Sequence, residues 1–470
     1  MDNTMNTRPE ASKKGLWKLI DNMEGDKVIW IIVLLLMLIS VLAIFSSTPL
    51  LSDDSRVEIM KNHGIIAAIG LLVIIGLYNI RKIGIFRVLS QLGFFLTFTL
   101  LIILDFHMNL GFLKAQHING AWRTLSLFGF QIHVFEVAKV AMVMYLAWAL
   151  HAFKQDSEAM EAGRESPTFS LANWLSTAKH LGFLKKPFWK RCFYIYGPAL
   201  LICAMIAPGS NSSAIFIAFV LIGTMLIGGV PFRELLLAGA ALVVMALCLF
   251  GIHKASDGEF MPRLKTFTTR LEADYSTDAL ENLKPGSREF YDALDDIRQP
   301  YGAKIAVHEG GLLGKGSGNS TQKYSVTHIY SDYMFSFLIE EYGLLGGIII
   351  VLLYISLIAR SSMIARLCGN DFARIAVGGL AFLITGQAFM HMLVNVDIMP
   401  MTGQTLPLIS DGSFAFIVFC IAFGIILSIS RIARNQIREE EEAAAPLYES
   451  DKDDIQATMD VLEQIDVRIE

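Results

Sequence analysis

The chain has 470 residues, of which 54% are hydrophobic and only 18% charged, with a formal net charge of −5. That apolar excess marks a polytopic membrane protein, excludes a soluble enzyme, and leaves no basic surface that would point to nucleic acid as a partner. The five cysteines fall in or beside apolar segments, so disulfides, a zinc site and a thiol nucleophile are all unsupported.

In chain order, a polar N-terminal segment (1–26) carries Lys13, Lys14 and Lys18 and leads into the first apolar run at 28–46. This run lacks a short core followed by a small-residue cleavage site, so the sequence predicts an uncleaved anchor. Further runs follow at 64–79, 88–104, 134–152, 192–207, 213–229, 234–251, 333–358, 375–396 and 406–429. About ten transmembrane helices are therefore expected, an all-α polytopic domain over 27–438. Basic residues gather on alternate connections: Arg81, Lys82 and Arg87; Lys154 through Arg191; Arg233; Arg360, Arg366 and Arg374; Arg431, Arg434 and Arg438. The positive-inside rule puts both termini in the cytoplasm, with loop 105–133 and a large loop at about 253–330, between the seventh and eighth helices, outside. The last stretch, 439–470, holds twelve acids against two bases. It reads as an unstructured, solvated cytoplasmic tail with a short amphipathic helix near 455–467, and leaves the membrane body near +5.

Three polar clusters map to the outer side. In the first, Asn119-Gly120-Ala121-Trp122-Arg123 leads into a helix carrying Glu136 and Lys139, three apart and so on one face. Charges embedded in a membrane helix are costly, and this pair fits either a structural lock between helices or a cation that attracts an anionic head group. In the second, a glycine-rich stretch (Gly310, Gly311, Gly314, Gly316, Gly318) continues through Asn319, Ser320, Gln322 and Lys323 to Asp332, at the start of an apolar helix that also carries Glu340 and Glu341. The glycines permit close backbone approach or an anion-binding nest. Asp332 fits a helix cap or a functional carboxylate, and the two glutamates are expected to pair with polar groups of neighbouring helices. In the third, Thr402–Ser413 includes Gly403, Pro407, Ser410 and Gly412, and predicts a broken or re-entrant segment or a tight outer turn.

With these clusters in place, the chain resembles the SEDS family (shape, elongation, division and sporulation; FtsW, RodA and SpoVE proteins) over residues 27–438. The motifs that carry the resemblance are G-N-S-T-Q-K and Y-S-D-Y-M-F…E-E-Y-G within 310–343, T-G-Q-T-L-P-L-I-S from Thr402, and N-G-A-x-R…E-x-x-K from Asn119. The wording is most similar to FtsW proteins of the Bacteroidetes. The resemblance implies a peptidoglycan glycosyltransferase of the bacterial inner membrane, acting at the division septum. Its substrate would be lipid II, a disaccharide-pentapeptide on undecaprenyl pyrophosphate. Its partners would be a class B penicillin-binding protein and other divisome proteins. It implies Asp332 as the catalytic carboxylate and Arg123, Glu136, Lys139 and Arg270 as substrate-binding residues, to which the motifs add Asn319, Gln322, Lys323 and Ser410. Metal use stays open: a divalent cation, Mg or Mn, or basic side chains alone would serve the leaving pyrophosphate. A RodA-like elongation enzyme and a lipid II transporter without bond chemistry are the alternatives. The chain departs from the family at Pro208–Ser213, which lacks an acid, at Asp411-Gly412-Ser413 in place of G-G, at Thr124 in place of tryptophan, and at Thr327-His328-Ile329 just before the aspartate's segment.

Overall fold

A computed structural model of the chain describes residues 24–48, 53–118, 121–163, 186–255, 285 and 287–466. The first helices are α1 (Lys27–Ser47), α2 (Asp53–Tyr78), α3 (Ile83–Asp105) and α4 (Val134–Glu161). A short helix α5 (Pro187–Arg191) passes through a π-helical turn, Cys192–Tyr196, into α6 (Gly197–Ile206). After it come α7 (Asn211–Ile227), α8 (Phe232–Ala255), α9 (Arg288–Gly310), α10 (Met334–Leu367), α11 (Asp371–Asn395) and α12 (Ser413–Asp466). Among the described residues, eight helices are long and apolar enough to cross a membrane: α1 to α4, α8 and α10 to α12. The chain is a multi-pass helical membrane protein, as its composition requires. The other two predicted spans are shorter apolar pieces: α7, with 17 residues, and the α5–α6 run with its π turn.

Burial sorts the helices. α4, α11 and α12 are mostly buried and make the centre, whereas α8 is almost wholly exposed and is left to face lipid. α1 shows why periodicity is silent in such a protein. Its buried face (Ile29, Val33, Leu36, Ser40, Ala43, Ser47) and its exposed face (Ile31, Leu34, Leu38, Leu42, Phe45) are almost equally apolar. Lipid and protein interior are both non-aqueous, so neither selects a polar side.

One end of the bundle is fastened by the residues that orient it. The Asp26 carboxylate caps α1, accepting from Val28 N and Ile29 N at 3.0 and 3.1 Å, and also accepts from Arg360 Nε at 3.1 Å. Asp26 N donates to Ser430 Oγ at 2.8 Å, and the Arg431 guanidinium lies 4.6 Å over the Tyr78 ring. The ends of α1 and α2, the C-terminal part of α10 and the middle of α12 thus meet on one face, the basic face.

Three features depart from the sequence expectation. Loop 105–133 is an antiparallel sheet of β1 (Leu113–Ile118), β2 (Ala121–Leu127) and β3 (Phe130–His133), in that order. Leu125 and Leu113 turn inward to cover the α4 end of the bundle. The last helix starts at Ser413 rather than near 406, because 400–412 is irregular and holds Leu406, Leu408 and Ile409 fully buried in protein. This matches the re-entrant reading of that segment. Finally, α12 continues through the acidic stretch to Asp466 where an unstructured tail is expected. Its Glu-Ala composition between Glu439 and Ala445 is made of strong helix formers.

Candidate functional site

Asp332 ends a turn-rich segment just before α10, whose N-cap position is occupied by Tyr333. Two local contacts and one remote contact hold it. Its amide donates to His328 O at 2.9 Å, its carbonyl accepts from Asn395 Nδ2 of α11 at 3.0 Å, and Ser331 Oγ donates to its carboxylate at 3.2 Å. Asn395 also caps α10 from outside, its Oδ1 accepting from Ser336 N at 2.9 Å. The irregular 400–412 segment lies alongside: Ser410 Oγ donates to Ser331 O at 2.8 Å and Asp411 N to Tyr330 O at 2.9 Å. The carboxylate, half-buried, is therefore set by backbone contacts on both sides.

The glycine-rich stretch repairs a break in α10. Gly343 takes φ +70°, ψ −177°, which interrupts the helix. The orphaned carbonyls of Glu340 and Glu341 accept from Lys315 N and Gly316 N, both at 2.9 Å, and Leu344 N donates to Gly311 O at 2.9 Å. This backbone-on-backbone seating leaves no room for side chains: a Cβ at Gly310, Gly314 or Gly343 would collide with main-chain atoms across the contact. Gly310, Gly314 and Gly343 thus serve helix repair.

Glu340 and Glu341, both fully buried, fasten the same stretch. Glu340 accepts from Lys315 Nζ at 2.8 Å, Ser320 Oγ at 2.6 Å and Thr321 N at 2.8 Å. Glu341 accepts from Ser46 Oγ of α1 at 2.6 Å and Gly318 N at 2.9 Å. Among the described residues their partners lie mainly in the loop, with only Ser46 from a neighbouring helix. Burial works against the charge of Lys315, but its bonds to Glu309 and Glu340 outweigh it and hold its pKa above the ordinary lysine value.

Lys139 occupies the heart of the bundle, only 2% exposed. Its ammonium bonds Glu136 Oε1 at 2.7 Å, Gln387 Oε1 at 2.6 Å and Gln404 Oε1 at 2.9 Å, between the rings of Phe216 and Phe419 at about 6 Å. The network extends outward: Gln404 Nε2 donates to Ser213 Oγ at 3.0 Å, Gln387 Nε2 to Thr405 O at 3.0 Å, and His391 Nδ1 lies 2.8 Å from Gln404 O. A buried cation is tolerated only when paired and fully bonded, and each of its three donors here has an acceptor. Lys139 thereby ties α4 and α11 to the segment that braces Asp332.

Arg123 sits on β2, where the register jumps from Gln116 opposite Thr124 to His117 opposite Trp122. It is the extra residue of a β-bulge, a device that re-aims a side chain. Thr124 pairs with His133, so Arg123 lies beside the start of α4, and its charge and that of Lys139 both bear on the His133 ring. The sheet is seated by Gly209, where a Cβ would strike the Trp122 carbonyl and the Phe135 ring. Among the described residues no three His, Cys, Asp or Glu side chains converge on a metal-sized site.

A profile of the FtsW/RodA/SpoVE family, described as "Cell cycle protein", matches residues 26–435. The chain belongs to the SEDS family. The peptidoglycan glycosyltransferase MrdB of Escherichia coli K12 is 32% identical over 238 residues, 47% of this chain and 61% of MrdB. The chain thus spans about three-fifths of that relative's length. A probable peptidoglycan glycosyltransferase FtsW of Marinomonas mediterranea is 28% identical over 358 residues, 75% of this chain and 72% of that protein. In fold, this SEDS chain is similar to a chain of a peptidoglycan synthase complex (TM-score 0.55, 20% identity, 87% of this chain and 98% of that one). It is also similar to the rod shape determining protein RodA of Thermus thermophilus (TM-score 0.52, 19% identity, 87% and 98%).

Within the SEDS fold, the residues singled out by sequence separate into two groups. Asp332 and Arg123 are both part-buried, and Glu136 is paired with Lys139. Lys139, Lys323 and Ser410 are buried and committed to internal bonds; Lys323 Nζ donates to Gly318 O at 2.7 Å and Ser46 O at 3.2 Å. In this conformation their reach is to the protein, because burial leaves them no open side. Asn319 is exposed and bonds Lys315 O at 2.9 Å, and Gln322 is half-buried above Glu340. Arg270 lies outside the described residues. Sequence reasoning missed Gln387, His391 and Asn395, spaced four apart along α11. That polar stripe in an otherwise apolar helix was the available signal.

Proposed function

We propose that this SEDS protein polymerises lipid II into glycan strands at the outer face of the inner membrane, as the septal glycosyltransferase. A class B penicillin-binding protein and other divisome proteins would be its partners. The observation that carries the proposal is the bracing of Asp332 by α11 and by the 400–412 segment, which Lys139 in turn ties to α4. That is a fixed carboxylate at the rim of a bundle, with Arg123 and the Glu136–Lys139 pair on the same, non-basic face. The similarity to peptidoglycan glycosyltransferases and the G-N-S-T-Q-K motif support the same reading.

In this mechanism the Asp332 carboxylate takes the proton of the acceptor sugar hydroxyl as that oxygen attacks the donor's anomeric carbon. The bond from that carbon to the lipid pyrophosphate breaks, and the pyrophosphate leaves with the electron pair. A placed base is typically worth about 10²–10⁴-fold. Arg123, aimed by its bulge, stabilises the leaving anion. Lys139 acts at one remove, neutralising Glu136 and fixing Gln404. A divalent cation, Mg or Mn, or basic side chains alone would serve the leaving pyrophosphate.

Purified protein in liposomes containing lipid II, with and without a class B penicillin-binding protein, provides the test. Glycan strands of many disaccharides are the expected product. Lipid II moved between leaflets with no polymer would favour the transporter instead. Stimulation by an elongation-type rather than a division-type transpeptidase would favour the RodA-like role.

A further inference from the structure

His63 of α2 and Asp411 of the turn before α12 meet at the rim of the site, and the mechanism above uses neither. The His63 ring is 3% exposed. Its Nε2 lies 2.8 Å from Ser40 Oγ, and that hydroxyl gives its single proton to Ile409 O at 2.9 Å. Ser40 therefore accepts from the ring, so Nε2 carries a hydrogen. The other nitrogen, Nδ1, is buried without a hydrogen-bond partner and stands 4.0 Å from Asp411 Oδ1. In the neutral ring Nδ1 is a bare lone pair. A lone pair facing a carboxylate is repulsive, so the two groups are compatible only when they hold a proton between them, on the ring or on the carboxyl.

The surroundings favour that proton. The groups facing Asp411 are His63 from α2 and, from the segment before α10, Tyr330 and Asp332, whose charges both bear on the Tyr330 hydroxyl. Among the described residues no lysine or arginine pairs with Asp411. Burial pushes its carboxyl above the ordinary aspartate range. A second full negative charge here would stand beside Asp332 and in the path of a diphosphate-linked lipid.

We propose that His63 and Asp411 form a dyad sharing one proton, which keeps the rim of the site neutral so that Asp332 stays ionised and an anionic diphosphate substrate is admitted. The two are positioning residues, acting through charge. Loss of the dyad's proton would place a net negative charge at the rim and lower the rate on the alkaline side. This rests on the glycosyltransferase reading for its substrate, but not for the proton itself.

The test has two arms, both on the full chain in lipid nanodiscs. Nitrogen-15 NMR of labelled histidine, with the His63 signals assigned by their loss in His63→Gln, reads the ring directly. The expected result is a hydrogen on Nε2 and a pH step in the His63 signals that disappears in Asp411→Asn. A hydrogen on Nδ1 alone, or a step unchanged in Asp411→Asn, overturns the dyad. The second arm measures polymerisation against pH. The wild type is expected to fall about tenfold per pH unit beyond its alkaline limb. Asp411→Asn, uncharged at every pH, should lose that limb. His63→Gln, which removes the proton's second site, should move it to lower pH by about one unit or more. Coincident alkaline limbs in all three overturn the proposal. Absence of polymer from the wild type at every pH counts against the glycosyltransferase reading, and the NMR arm then decides the dyad alone.

Discussion

Lys139 is buried among acceptors drawn from three parts of the chain, and the cost of removing it follows from what it leaves behind. Lys139→Ala strands Glu136 without its cation and leaves the amide oxygens of Gln387 and Gln404 unbonded. Breaking a buried pair in this way costs about 3–5 kcal/mol. Thermal unfolding in detergent should show a clear loss for Lys139→Ala and a partial recovery in Glu136→Gln/Lys139→Met. Polymer synthesis should stay low in both, because Gln404 loses its bond to Lys139 and is held only through Ser213 and His391. At this scale the sequence revealed the charged members, since a lysine and a glutamate stand out in an apolar helix. It did not reveal their partners, which lie 248 and 265 positions away and are neutral amides. His63 and Asp411 were hidden for the same reason, being joined only by the packing of α2 against α12.

At the scale of elements, α10 and its loop behave as one unit. The broken turn at Gly343 is sealed by loop backbone, so Gly343→Ala forces both a strained φ and a collision with the Leu312 carbonyl. Strain of this kind costs about 1–3 kcal/mol before the collision is counted. The variant should insert normally but expose the 311–321 loop to protease and lose polymer synthesis. Lys315 adds a pH handle. Its folded-state pKa is raised, so the clamp it provides is complete below the ordinary lysine value of about 10.4 and is lost as pH rises through the higher folded value. Limited proteolysis should therefore find the loop protected at pH 8 and cut faster as pH rises beyond the ordinary lysine range, with Lys315→Met cut equally throughout. The glycines were visible in the sequence, but their purpose was not. A helix break at a glycine inside an apolar run carries no periodic signature, and neither does a bulged three-stranded sheet in a loop of 29 residues (105–133).

At the scale of the whole molecule, the apolar runs were enough to place eight of the ten expected spans, and the lysines and arginines marked the face on which α1, α2, α10 and α12 are fastened. Length and charge are the two quantities a bilayer reads directly. Which face of each helix is buried could not be read, because lipid and protein interior are alike in polarity, as α1 shows. The anchor on the basic face gives a further test. Arg360→Ala leaves the Asp26 carboxylate, itself buried, without its cation. It should lower thermal stability while leaving the pH profile of polymerisation unchanged, since the site lies at the other end of the bundle.

The central claim is that Asp332 performs the chemistry, and Asp332→Asn tests it most directly. Ser331 Oγ can still donate to the amide oxygen, and the backbone bonds to His328 and Asn395 are untouched, so the variant should fold and melt like the wild type. Incubated with lipid II in liposomes beside a class B penicillin-binding protein, it should make at least about 100-fold less glycan than the wild type. Polymer formed at the wild-type rate by a correctly folded Asp332→Asn protein would contradict the account.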